Sequence, residues 1–171
     1  MNKINLTSLE LKTFTEQDAL DYCQLNNIKL YNIAKLDLGN NKLTDISGIK
    51  LFKNIRFLYL DNNELTNIHV LKDLKNLKEL YLNDNELTDI SVLKDLNKLE
   101  TLILNNNQLT DVSVLQNLNK LEILNINYLE LESNQIIYIK SLKNLKFLGC
   151  INGFKDMSVI NQLPNNIEIN K

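Results

Sequence analysis

The chain has 171 residues, 44% of them hydrophobic, and a net charge of −2; that suits one globular domain with a real core and gives no electrostatic basis for holding nucleic acid or an anionic membrane. One proline, four glycines and two cysteines exclude a flexible linker, a turn-rich β-sandwich and a disulfide framework.

In chain order, no apolar run follows residues 1–5, so no secretory signal is expected. No stretch is long and apolar enough for a bilayer, and a reducing cytoplasmic interior is the expected compartment. Leu6-x-x-Leu9-x-Leu11 has the spacing of half a repeat strand. Thr15-Glu16-Gln17-Asp18 predicts a capping box that opens a helix, with Ala19, Leu20 and Cys23 on its buried face and Asn26-Asn27 at its end. Residues 1–32 therefore read as an N-terminal cap.

Regular repetition follows. Asn41, Asn63, Asn85 and Asn107 are spaced by 22, and so are Leu38, Leu60, Leu82 and Leu104 and the column Leu43, Leu65, Leu87 and Leu109. The unit is L-x-x-L-x-L-x-x-N-x-L-T-D-I-x-x-L-x-x-L-x-x, in four copies at 33–54, 55–76, 77–98 and 99–120. Glu79 to Asn83 alternates polar and apolar, which predicts a strand with Leu80 and Leu82 inward. Ile90, Leu93, Leu96 and Leu99 recur every third residue, which suits a 3₁₀ turn, an extended segment or a short helix on the opposite side. A single copy cannot bury its own apolar face, so the copies must stack.

A fifth copy, 121–144, has Leu129 at the Asn position and two extra residues, placed within 127–134. The last unit, 145–171, is irregular: Gly153 stands where the Asn should be, Pro164-Asn165-Asn166 reads as a turn and Ile167-Glu168-Ile169 as a final strand.

The unit matches the leucine-rich-repeat pattern. Its 22-residue form, with Leu-Thr-Asp-Ile after the Asn, resembles the SDS22-like class shared by internalins and a eukaryotic protein phosphatase regulator, over roughly residues 33–163. The resemblance implies a single right-handed α/β solenoid, with a parallel sheet on its concave face and non-catalytic protein binding there. Internalins carry signal and anchoring segments that are not visible in this chain.

Few residues are candidates for chemistry. The Asn column is expected to satisfy loop backbone in its own and neighbouring repeats. Thr44-Asp45, Thr88-Asp89 and Thr110-Asp111, with Asn67 as a substitute, are expected to cap the turn into the convex side. The single histidine, His69, falls on that side without a partner for catalysis. Cys23 and Cys150 are expected to be separate, buried thiols. Polar residues form columns and do not converge, so no enzyme activity, cofactor or metal is expected.

The outward strand positions carry no duty to the repeat. The first column is Ser8, Lys35, Phe57, Glu79, Thr101, Ile123 and Phe147. The second is Glu10, Asp37, Tyr59, Tyr81, Ile103, Asn125 and Gly149. The third is Lys12, Gly39, Asp61, Asn83, Asn105, Asn127 and Ile151, with Thr13, Asn40, Asn62, Asp84, Asn106, Tyr128 and Asn152 at the adjoining edge. Phe57, Tyr59, Tyr81, Ile103, Ile123 and Phe147 thus form an apolar and aromatic stripe flanked by Asp37, Asp61, Glu79 and Asp84. Such a surface predicts a protein partner with a neutral or basic patch, bound by a monomer. A repeat scaffold or spacer without a specific concave ligand is the alternative.

Overall fold

The computed structural model describes residues 2–171. Its strands are β1 (Asn2–Asn5), β2 (Ile33–Asp37), β3 (Phe57–Tyr59), β4 (Glu79–Tyr81), β5 (Thr101–Ile103), β6 (Ile123–Asn125), β7 (Phe147–Gly149) and β8 (Glu168–Asn170). They form one open eight-stranded sheet in sequential order, and every neighbouring pair is parallel. The result is a right-handed solenoid. Strands β3 to β8 span three residues each, and in the regular copies the alternating run ends where the Asn turns the chain.

The core is the stack of repeat columns. Leu36, Leu58, Leu80, Leu102, Leu124 and Leu148 are fully buried, and Leu38, Leu60, Leu82 and Leu104 lie beside them. Burying each such side chain is worth about 1.5–3 kcal/mol. On the convex side the apolar period of three produces 3₁₀ turns at Ser47–Leu51, His69–Asp73, Ser91–Asp95 and Ser113–Asn117. They place Ile49, Leu71, Leu93 and Leu115 in the core.

The Asn column does what buried amides must. Asn63 Nδ2 donates to the carbonyls of Leu38 (3.1 Å) and Leu60 (3.0 Å), and its Oδ1 accepts from the Leu43 amide at 3.0 Å. Asn85 repeats the pattern with Leu60, Leu82 and Leu65, as does Asn107 with Leu82, Leu104 and Leu87. Each amide joins two successive copies. The acidic column caps the 3₁₀ turns: Asp45, Asp89 and Asp111 accept from the amides of Ser47, Ser91 and Ser113 at 2.7–2.8 Å, and Asn67 accepts from His69 at 2.7 Å. The expected Thr contribution is not made in that way. The four Thr side chains are exposed, and Thr44 Oγ1 donates to the Lys12 carbonyl at 3.4 Å, toward the cap.

Helix α1 (Glu16–Leu25) opens on the reciprocal Thr15–Asp18 capping box and ends at Asn26, with Asn27 left-handed at φ 51°. It buries Ala19 and Cys23, but Leu20 is 44% exposed. One residue on from Ala19 is a 100° rotation, which carries Leu20 off the buried face. The helix packs on the first 3₁₀ turn at Gly48, which stands where later copies have Val70, Val92 and Val114. A Cβ there would lie 2.2 Å from the Thr15 carbonyl oxygen.

The N-terminal strand is displaced from its expected register. Lys3, Ile4 and Asn5 pair with Lys35, Leu36 and Asp37, so Ser8, Glu10 and Lys12 are not on the strand columns, and Thr13, bridged to Asp45, is not at their edge. Leu6 and Leu11 correspond to Leu38 and Leu43, and Leu9 takes the Asn place, its own amide donating to Asn41 Oδ1 at 2.9 Å. In the fifth copy Leu131 keeps the 22-residue spacing and bridges to Phe154. The extra length falls just after it, at 132–135, and the chain then forms a short helix, α2 (Ile136–Lys140), in place of a 3₁₀ turn. Gln135 in that segment accepts from the Val112 amide at 3.0 Å.

Candidate functional site

The sheet presents one side chain per strand in each outward column, and the register defines who is adjacent. Phe57, Glu79, Thr101, Ile123 and Phe147 run across β3 to β7 in the first column, and Tyr59, Tyr81, Ile103, Asn125 and Gly149 in the second. The stripe is therefore diagonal. Tyr59, Tyr81 and Ile103 are consecutive in the second column, and the line then steps to Ile123 and Phe147 in the first. Glu79 and Thr101 separate Phe57 from Ile123, and Thr101 is buried. Of the six stripe residues Ile123 is exposed and the other five are half-buried.

Tyr59 and Tyr81 stack with centroids 4.6 Å apart and planes 18° from parallel. The Tyr59 hydroxyl donates to Glu79 Oε2 at 3.2 Å. Partial burial, with Glu79, Asp37 and Asp61 nearby, pushes the Tyr59 phenol up to about 12; burial first and Glu79 second also raise Tyr81. The guanidinium carbon of Arg56 lies 6.0 Å from the Phe57 centroid.

The expected acidic flanks are held rather than loose. Asp61 covers the bare backbone of Gly39, where a Cβ would meet its Oδ1 at 2.8 Å. Asn62 Nδ2 donates to Asp61 at 3.2 Å, and Asp84 accepts from Asn83 at 2.7 Å and from Asn106 at 2.6 Å. Asp37 Oδ1 accepts from the Gly39 amide at 3.4 Å. With Lys3 and Asn5 in the columns that Ser8 and Glu10 were expected to fill, Asp37, Asp61, Glu79, Asp84 and Glu168 against Lys3 and Lys35 leave −3.

Two features escaped the sequence reading. Lys35, placed there only in the first outward column, holds its Nζ 4.1 Å from the Tyr59 centroid; its place one strand earlier and one column over was the available signal. The edge column Asn40, Asn62, Asp84, Asn106, Tyr128 and Asn152 is left-handed throughout, φ 46–60°. Asn and Asp tolerate that conformation and tyrosine does not, so the half-exposed Tyr128 is the exception.

Elsewhere, a groove of about 810 Å³ opens at the N-terminal end between residues 6–14 and α1, lined by Leu9, Phe14, Tyr22 and Leu25 among others. It is the flank of the stack, where α1 covers the first repeat only in part. Cys23 and Cys150 are free and buried, and burial pushes both thiols up. Among the described residues no group of three or more His, Cys, Asp or Glu could hold a metal ion, and no helix is long and apolar enough to cross a membrane.

Residues 53–95 match the family described as Leucine Rich repeats (2 copies). No curated protein matches the chain. Among solved structures it is similar to an internalin, InlF, of Listeria monocytogenes strain 4b F2365, with a TM-score of 0.78 and 24% identity over 98% of this chain and 46% of that one. Internalin C2 of the same strain gives 0.68 and 26%, over 98% and 79%. A leucine-rich-repeat protein of Leptospira interrogans gives 0.59 and 24%, over 98% and 53%. The chain thus spans about half the length of InlF. With InlF and the Leptospira protein the likeness is one of fold.

Proposed function

Since the chain is a leucine-rich-repeat protein, and such proteins generally serve as interaction modules, we propose that it is a non-catalytic module binding a protein partner on its concave face. The observation that carries this reading is the diagonal of Tyr59, Tyr81, Ile103, Ile123 and Phe147, with Phe57 beside it. Its side chains have no duty in the core, yet they place aromatic and aliphatic surface on the outer side of the sheet. Tyr and Phe supply large contact area at low entropic cost. The carboxylates Asp37, Asp61, Glu79 and Asp84 favour a partner with a neutral or basic patch.

The test is the double variant Tyr59→Ala/Tyr81→Ala, used as bait in a lysate of the source organism, beside a convex-face control, Lys94→Glu. The double variant is expected to lose the captured protein while its thermal unfolding still shows a cooperative fold, and the control to keep it. Capture that persists in the double variant would refute a concave site and favour the scaffold alternative.

A further inference from the structure

The aromatic pair on the concave face carries a cation from the protein itself. The Tyr59 ring lies between the Tyr81 ring, stacked at 4.6 Å, and Lys35 Nζ, 4.1 Å from the Tyr59 centroid. Lys35 reaches it along the diagonal of the parallel β2–β3 pair, from the first column of one strand to the second column of the next. Among the described residues Lys35 enters no ion pair within 4.0 Å. Yet Asp37 lies on its own strand and face, and Asp61 on the adjacent repeat. Its ammonium thus rests on the ring. The negative face of the ring and the three carboxylates around it make that spot favourable for a cation.

A second ammonium arriving there would gain little over Lys35. A guanidinium would gain more: it is more weakly hydrated, stacks flat on a tyrosine, and presents paired donors to a carboxylate. Asp61 and Glu79 stand on either side of the Tyr59 position with oxygens to accept them. The neighbouring strands β5 to β7 offer Ile103, Ile123 and Phe147 without a charge in those columns. The concave face is therefore acidic and aromatic over β3 and β4 and uncharged and largely apolar over β5 to β7, with Glu168 of β8 beyond them.

We propose that the face of the Tyr59 ring turned away from Tyr81 is the seat of an arginine side chain of the protein partner, filled in the free protein by Lys35, which the arginine displaces. This rests on the concave face being the binding surface, and it names the partner's anchor.

The test is a titration of the full chain by NMR with ethylguanidinium, ethylammonium and the neutral ethylurea. Saturable shifts of the Tyr59 and Tyr81 ring resonances are expected with ethylguanidinium, smaller ones with ethylammonium and none with ethylurea. Lys35→Ala should tighten ethylguanidinium binding about two- to fivefold, the range of a cation–π contact at a surface site. Tyr59→Phe should keep binding and Tyr59→Leu should lose it, each variant first shown to be folded by its amide spectrum. Equal responses to ethylguanidinium and ethylurea, no response to either, or no tightening in Lys35→Ala overturns the proposal. The two readings fail separately. If Tyr59→Ala/Tyr81→Ala loses the captured partner while the probes give no seat, the arginine anchor falls and the concave face stands. If the probes bind as expected while capture survives that double variant, the partner role of the seat is overturned.

Discussion

At the scale of single residues, the concave tyrosines have a measurable signature. The Tyr59 phenol ionises near pH 12 because partial burial, Glu79, Asp37 and Asp61 all oppose a phenolate. Glu79→Gln removes the nearest of these charges and is expected to bring that titration down toward the ordinary value near 10, read as tyrosinate absorbance against a Tyr59→Phe blank. An unmoved titration would show that burial, with Asp37 and Asp61, holds it up without Glu79. The stability consequence has a definite sign. A phenol whose folded value exceeds its unfolded value contributes fully below about pH 10, and the contribution is lost as pH rises through about 12. Tyr128 carries the opposite kind of signature. It sits at φ 60° in a column otherwise filled by Asn and Asp, and the left-handed region costs a residue with a Cβ about 1–2 kcal/mol. Tyr128→Asn is expected to raise stability in urea by about 0.5–1 kcal/mol, since Asn recovers part of that cost. A loss of stability would mean that the ring makes packing contacts worth more than the strain.

At the scale of elements, the cap helix shows how one residue decides a docking. Gly48 breaks the Val column of the convex side because α1 approaches the first 3₁₀ turn there, with the Gly48 amide donating to the Phe14 carbonyl at 2.8 Å. Restoring the consensus with Gly48→Val should cost roughly 1–3 kcal/mol, the usual penalty for overfilling a packed contact. The readout is local. Cys23, on the buried face of α1, should become reactive to a thiol reagent while Cys150, near the other end, stays protected. Equal protection of both thiols would show that the turn yields without releasing the helix.

Across the whole molecule, each copy touches only its neighbours, so stability is a chain of nearest-neighbour terms. The Asn column supplies the directional part of each link, and exposed ion pairs such as Lys78–Glu100 at 2.6 Å and Lys146–Glu122 at 2.7 Å add little to it. Asn85→Ala in the middle of the array orphans the Leu65 amide and leaves a cavity. It should cost about 2–4 kcal/mol and split or broaden the urea transition into the two halves on either side. A single sharp transition at lower urea would show that the apolar stack alone couples the halves.

How much of this was legible in the sequence differs from part to part. The four regular copies, their inward columns and the adjacency of Tyr59, Tyr81 and Ile103 follow from a strict 22-residue spacing. Once strands pair in sequence, equal spacing forces equal register. The N-terminal strand was not legible because the repeat contains its own near-copy. The spacing three-then-two recurs after five residues, as L-x-x-L-x-L and again as L-x-x-N-x-L, and only the Asn tells them apart. With Leu9 in the Asn place, Leu6 and Leu11 fit either half, and pairing with β2 chose the second. Tertiary structure alone decided whatever depends on directions between copies: the seating of Lys35 on the Tyr59 ring, the burial of Thr101 between half-buried Glu79 and exposed Ile123, the exposure of Leu20 and the clash that reserves residue 48 for glycine. A one-dimensional pattern states which residues share a column. How far a side chain leans across columns is settled by packing, and the concave chemistry lies in that lean.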